Sequence, residues 1–171
     1  MHLGCGSNVL AGWSNIDLAG SRNVVSHNLS RPLPVRSDSI EFIYSEHFIE
    51  HISLDRARRL LAECLRVLRP GGIIRLSTPD LRKLIASYQA GSVSAFRDVG
   101  WNPATPCQMV NEGMRLWGHA FVYDADELEA VLRAAGFRQM QREGWRTSEH
   151  PELRSLECRP FHDELIVEAT K

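Results

Sequence analysis

Leu3-Gly4-Cys5-Gly6-Ser7-Asn8, with Gly12-Trp13-Ser14-Asn15-Ile16-Asp17 close behind it, joins an apolar strand end to a glycine turn and then to a second short strand ending on a carboxylate. Glycines at such a turn leave no side chain between a ligand and the backbone. In a doubly wound sheet, ligands bind outside the carboxyl ends of neighbouring strands, and Asp17 there could accept hydrogen bonds from both hydroxyls of a ribose. A dinucleotide fingerprint would need a third glycine three positions after Gly6, where Val9 stands, and Asp17 comes too early for a full intervening helix. Nicotinamide binding is therefore disfavoured.

Outward from this segment, short apolar runs alternate with helical patterns, the signature of an α/β sheet. Only Met1 to Leu3 precedes the turn, so the first strand is short or continues into residues before Met1. Asn23 to Asn28 and Ile40 to Tyr44 are expected as strands, separated by Arg31-Pro32-Leu33-Pro34, which cannot be helix interior. From Leu54 to Arg69 the apolar positions Leu54, Ala57, Leu60, Leu61, Cys64, Leu65 and Leu68 recur at helical spacing, and Pro70-Gly71-Gly72 ends the pattern. Ile73 to Thr78 is expected as a strand and Asp80 to Gln89 as a helix. Another helix starts at Asp124, with Glu127 as its capping partner, and ends at Gly136. Phe137 to Glu143 and Glu164 to Ala169 close the chain as strands. Between Gly91 and His119 no periodicity persists, and Trp101, Met109, Met114 and Trp117 mark a covering segment, so residues 91–121 are expected to form a lid.

Length and composition narrow the function. A chain of 171 residues is about one domain. With 43% hydrophobic and 24% charged residues it folds around a core, and a formal net charge of -1 gives no field for bulk nucleic acid or anionic lipid. No apolar run approaches the roughly 18–20 residues of a membrane span, and no signal-peptide pattern opens the sequence, so a cytoplasmic protein is expected. Cys5, Cys64, Cys107 and Cys158 form no C-x-x-C pair and are expected to be free thiols.

Taken in order and spacing, the segments resemble the class I S-adenosylmethionine-dependent methyltransferases, and specifically the methyltransferase type 11-like ones. They are most similar to a small bacterial group of predicted methyltransferases with a shortened first crossover and mostly unassigned substrates. The likeness is carried by the two opening segments, by Pro32-Leu33-Pro34 with Asp38 to His47, by Leu68-Arg69-Pro70-Gly71-Gly72 with Ile73 to Pro79, by Ala134-Ala135-Gly136-Phe137, and by Glu164 to Ala169. It implies a Rossmann-like, doubly wound, mostly parallel seven-stranded sheet with an antiparallel last strand. It implies that Gly4, Cys5, Gly6 and Asn8 pass the methionine and adenosyl portions of the cofactor, that Asp17 and Leu18 hold the ribose, and that Asn28 and Leu29 meet the adenine. Ser45 and Glu46 would lie beside the amino-acid end. The family commonly has an acidic residue where Asn28 stands; an asparagine carbonyl can still accept from the adenine amino group.

Ser45-Glu46-His47-Phe48-Ile49-Glu50-His51 repeats Glu-His at a spacing of four, which on a helix would stack His47 over His51 and Glu46 over Glu50. The zincin order is His-Glu-x-x-His, which this is not, and no metal is expected. Methyl transfer needs a nucleophile held in line, and a base only for a protonated acceptor. His47 and His119 are the candidate bases, with capping or packing as the equal alternative, while His51 is expected to be structural. Arg56, Arg58, Arg59, Arg66 and Arg69 are interleaved with Asp55 and Glu63, the pattern of a solvated face. Trp101, Trp117, Phe121 and Tyr123 either line an acceptor pocket or pack the lid down.

The expectation is a single domain, residues 1–171, that transfers a methyl group from S-adenosylmethionine, leaving S-adenosylhomocysteine. The acceptor would be a small molecule, a glycan or a lipid-linked precursor, with oxygen preferred over nitrogen. A non-catalytic adenosyl-binding or interaction module is the alternative, because a short central strand could lose ladder bonds beside the cofactor loop. Complementation of that strand by a second copy would make a homodimer.

Overall fold

The computed structural model describes residues 1–97, 100–159 and 164–171. Its strands are β1 (His2–Leu3), β2 (Asn15–Asp17), β3 (Val24–Ser26), β4 (Ile40–Glu46), β5 (Leu68–Thr78), β6 (Arg138–Arg142) and β7 (Leu165–Thr170). They form one seven-stranded sheet in the order β3-β2-β1-β4-β5-β7-β6. The first five run parallel, and β7 is antiparallel to both β5 and β6. This is the expected mostly parallel, doubly wound sheet.

β1 is as short as the sequence suggests, yet it is paired on both sides. His2 and Leu3 register with Asn15 and Ile16 of β2, and His2 with Tyr44 of β4. The ladder extends past the strand, through Tyr44 N–H to Met1 O at 2.9 Å on one side and Gly4 N–H to Ile16 O at 2.9 Å on the other. The link from β1 to β2 contains only turns, although parallel strands usually need a longer, helical crossover. Asn15 organises it instead. Its buried amide donates to Leu10 O at 2.9 Å and Trp13 O at 3.1 Å, its carbonyl accepts from Leu10 N–H at 3.0 Å, and His2 Nδ1 lies 3.2 Å from that carbonyl.

Helix α1 (Leu54–Val67) buries Ala57, Leu60, Leu61, Cys64 and Val67, the stripe that the apolar spacing predicts. It ends two residues earlier than expected, because Pro70-Gly71-Gly72 belongs to an extended β5 whose register against β4 shifts between Ile40 and Phe42. A bulge of this kind needs small residues: a Cβ on Gly72 would stand 2.9 Å from Arg69 O and 3.0 Å from Glu41 O. Helix α2 (Leu81–Gln89) is capped by Asp80, which accepts from Arg82 N–H. A short α3 (Ser94–Arg97) follows.

The segment with no evident periodicity departs from expectation, since Pro106–Arg115 form a helix, α4. Thr105 Oγ1 accepts from Gln108 N–H at 3.1 Å, and Gln108 Oε1 accepts from Ala104 N–H at 3.0 Å. Proline at the first helical position completes an N-terminal signal. Met109 and Gly113 are its buried positions, and a Cβ on Gly113 would stand 2.8 Å from the Leu84 side chain of α2. Helix α5 (Ala125–Ala135) is capped by Asp124, which accepts from Glu127 N–H at 2.9 Å, and stops at Gly136 with φ of 108°. It packs on α1 and against β6 and β7. Among the described residues, no helix is long and apolar enough to cross a membrane.

A buried ion triad fastens the β6–β7 connection to the sheet. Arg75 of β5 donates to Glu157 Oε1 at 2.6 Å and to Glu168 Oε1 of β7 at 2.5 Å. Glu157 Oε2 in turn accepts from Arg146 N–H at 3.0 Å.

Candidate cofactor and acceptor site

The glycine turn and the strand-end carboxylate meet at the carboxyl edge of β1 and β2. Gly4 has φ of 64° and is packed under Phe48, whose ring would lie 2.4 Å from a Cβ there. Gly6 has φ of 53°, and a Cβ on it would meet nothing within 4 Å. The first glycine permits packing beneath the turn, and the second leaves the space above it open. Gly6 N–H donates to Asp17 Oδ2 at 2.8 Å, and Ala19 N–H to Asp17 Oδ1 at 3.3 Å. Each oxygen keeps lone-pair capacity for a second donor. Leu18, 71% exposed, lies next to this carboxylate in the chain. Cys5 is buried, and its thiol donates to Gly6 O at 3.7 Å within the turn.

The opposite wall is the end of β4. Ser45 Oγ donates to Leu3 O at 3.0 Å and ties β4 to β1. Glu46 is buried and clamps the β6–β7 connection: Oε1 accepts from Cys158 N–H at 2.9 Å and Arg159 N–H at 3.0 Å. Its Oε2 accepts from Asn8 Nδ2 at 3.5 Å and from Cys158 Sγ at 3.2 Å. Glu46 thus joins the glycine turn to the Cys158–Arg159 backbone. Burial, reinforced by Glu46, pushes the Cys158 thiol up to about 11. At the far flank Asn28 Oδ1 accepts from Ser30 N–H at 2.9 Å, an Asx turn, and Leu29 packs in the core.

The two candidate bases fare differently. His47, at φ 49°, does not stack over His51, because residues 49–51 form a single 3-10 turn rather than a continuing helix. Its Nε2 lies 2.6 Å from Glu164 Oε1 and its Nδ1 3.1 Å from Glu50 Oε1. Burial alone would lower its pKa, but hydrogen bonding and charge from Glu164 and Glu50 outweigh that and raise it to about 9. At neutral pH His47 is a cation between two carboxylates, so its ring holds no lone pair to take a proton. Glu164 also accepts from Ser77 Oγ, binding the ends of β4, β5 and β7 together.

His119 follows α4 and a short turn, Leu116–Gly118. Its Nδ1 lies 2.8 Å from Gly113 O, and a carbonyl only accepts, so Nδ1 carries the proton and Nε2 holds the lone pair of the neutral ring. Of the four aromatics, Tyr123 is core, while Trp101 stacks edge-on with Phe96 at 4.8 Å and Trp117 at 5.3 Å. Phe121 lines a shallow depression with Leu81, Val122 and Asp124. Sequence reasoning missed Glu164, Cys158 and Arg159: their place at the site is set by an antiparallel register and a long connection that no local pattern encodes.

The open space above Gly6 and the half-buried Asp17 carboxylate fit a nucleoside, with a hydrogen-bond acceptor where a ribose diol would stand. A strand order of this kind with a glycine turn after β1 and a carboxylate after β2 resembles the arrangement of the class I S-adenosylmethionine-dependent methyltransferases. Comparison with known proteins agrees. Residues 7–76 match the family model of the methyltransferase domain. A curated Mycolicibacterium smegmatis protein, described as a "Probable S-adenosylmethionine-dependent methyltransferase", is 30% identical over 113 residues. That match takes in 66% of this chain but 34% of the relative, so the chain spans about a third of that protein's length. An S-adenosylmethionine-dependent methyltransferase from Mesorhizobium loti superposes with a TM-score of 0.57 at 20% identity, covering 99% of this chain and 89% of that one. A Burkholderia thailandensis 1,6-didemethyltoxoflavin-N1-methyltransferase with bound S-adenosylhomocysteine gives a TM-score of 0.51 at 16% identity, covering 91% and 59%. Over residues 7–76 in sequence, and over nearly its whole length in fold, the chain is similar to S-adenosylmethionine-dependent methyltransferases.

Proposed function

We propose that this chain transfers a methyl group from S-adenosylmethionine to a small-molecule, glycan or lipid-linked acceptor, at an oxygen in preference to a nitrogen. The observation that carries the reading is the Asp17 carboxylate fastened to the Gly6 amide beside open space at the carboxyl edge of β1 and β2. When bound, the cofactor supplies a methyl group activated by a sulfonium. Gly6 and Asp17 bind and orient its ribose, the amides after Asp17 support that loop, and Glu46 holds the Cys158–Arg159 backbone over the amino-acid end. His47, paired with Glu50 and Glu164, serves as a fixed cationic strut, which leaves His119 Nε2 as the nitrogen that would take an acceptor hydroxyl proton. Residues 91–121 form the lid that selects the acceptor, and the near-neutral surface favours one without a polyphosphate backbone.

The test is production of S-adenosylhomocysteine with two compound pools, one bearing hydroxyls and one bearing amines, compared with His119→Gln. Turnover with the hydroxyl pool that falls in the variant while cofactor affinity holds is the expected result. Turnover confined to the amine pool would overturn the oxygen preference, and none in a panel spanning both would remove the enzymatic reading.

A further inference from the structure

The lid ends against the turn that follows β4, and this contact brings together three residues the cofactor site does not use. Ala120 N–H and Phe121 N–H both donate to Glu50 O, at 2.7 and 3.1 Å, fixing the chain just after His119 to the 3-10 turn that carries Glu50 and His51. The His51 and His119 rings stand edge to face with centroids 5.0 Å apart. One donor atom each from Glu50, His51 and His119 lies within 4.8 Å of the other two. We propose that Glu50, His51 and His119 form a binding site for a divalent transition-metal ion.

Each ligand is prepared for that role. The Nδ1–H of His119 is held by Gly113 O at 2.8 Å, the outer hydrogen bond that orients a ligating histidine and leaves Nε2 free to donate its pair. The Glu50 side chain is wholly buried. Its Oε2 accepts from Thr78 Oγ1 at 3.1 Å, and its Oε1 stands 3.1 Å from His47 Nδ1, so the carboxylate is held in place from both sides. His51 reaches the same point from the 3-10 turn, its ring edge to face with that of His119.

Two imidazole nitrogens and one carboxylate oxygen suit Zn²⁺, Mn²⁺, Fe²⁺ or Co²⁺ better than Mg²⁺ or Ca²⁺, which favour all-oxygen sets. Three protein ligands leave coordination positions open to water or to an acceptor oxygen. The sequence did not suggest this site because it pairs His51 with a residue far along the chain, on the lid, rather than with His47. The proposal deepens the oxygen-acceptor reading and rests on it for its role only. With an ion bound, His119 Nε2 would hold the metal, which would lower the pKa of a coordinated acceptor hydroxyl, and the hydroxyl's proton would pass to solvent water instead of to His119.

The test uses the metal alone, without cofactor or acceptor. The chelator-treated chain is titrated with Co²⁺, followed by its d–d absorption, and then with competing Zn²⁺ and Mg²⁺. The expected result is one saturable equivalent, displaced by Zn²⁺ but not by Mg²⁺, without a thiolate charge-transfer band. Affinity should fall by about tenfold or more in His51→Ala and in His119→Ala. Circular dichroism shows that the variants remain folded. Absence of saturable binding, retention of affinity in His119→Ala, or a thiolate band that assigns the ion to cysteine would each overturn the site. None of those outcomes bears on cofactor binding, and loss of methyl transfer would leave the metal titration intact.

Discussion

Arg75 is the most demanding residue of the fold, and replacing it by methionine tests how the site is held. Its guanidinium is fully buried, 2.6 Å from Glu157 and 2.5 Å from Glu168, with Gly144 O at 3.4 Å. Bringing these three charges out of water costs several kcal/mol per ion, offset only while the set is complete. Arg75→Met conserves an unbranched apolar stem but leaves two carboxylates buried without their cation. Removing one partner from a buried pair costs about 3–5 kcal/mol, a large part of the roughly 5–15 kcal/mol by which domains are stable. Urea unfolding followed by circular dichroism should show a loss of that size. Arg75→Met/Glu157→Gln/Glu168→Gln, in which no charge is stranded, should recover more than half of it. Glu157 precedes the Cys158–Arg159 amides that Glu46 holds, so Arg75→Met should also weaken S-adenosylhomocysteine binding at temperatures where the variant is still folded. A loss below about 1 kcal/mol, or a triple variant no more stable than the single one, would refute the argument that the triad's charges are mutually dependent.

The two turn glycines should separate packing from binding. Gly4→Ala adds a clash with Phe48 to a positive φ and should fold poorly, whereas Gly6→Ala should lose only about 1–2 kcal/mol by denaturant titration while binding cofactor far more weakly. Timed alkylation at pH 8 with mass spectrometry should label Cys107 quickly and Cys158 slowly, because the Cys158 thiol, pushed up to about 11, stays protonated despite its exposure. Cys64, buried and pushed up to about 12, should react only on unfolding, and Glu46→Gln should accelerate Cys158. Asp124→Ala removes the cap of α5 and should cost about 1 kcal/mol in thermal unfolding.

Much of the fold is local and therefore visible in the chain. The apolar stripe of α1, and Asp124 and Gly136 at the two ends of α5, are decided by neighbours within a turn or two. The glycine turn and Asp17 are equally local, and they carry the cofactor side of the proposed site. α4 could have been found from Thr105-Pro106-Cys107-Gln108, a cap, a first-turn proline and a capping partner, but its apolar stripe is too thin to signal a helix by periodicity. Pro70-Gly71-Gly72 reads as a terminator and also serves as the bulged start of β5, a dual use that only the pairing with β4 makes plain. His47 looked like a base because its carboxylate partner Glu164 lies across the sheet, placed there by the β5–β7 register. The meeting of His51 with His119 likewise depends on where the chain returns after α4.

The most direct measurement of the central claim is calorimetric titration of this chain with S-adenosylhomocysteine and S-adenosylmethionine, repeated on Asp17→Ala and Gly6→Ala. The account predicts saturable one-site binding that weakens markedly in both variants while circular dichroism shows them folded. Absence of binding to the folded chain, or affinity untouched by either substitution, would contradict the assignment of the glycine turn and Asp17 as the cofactor cradle.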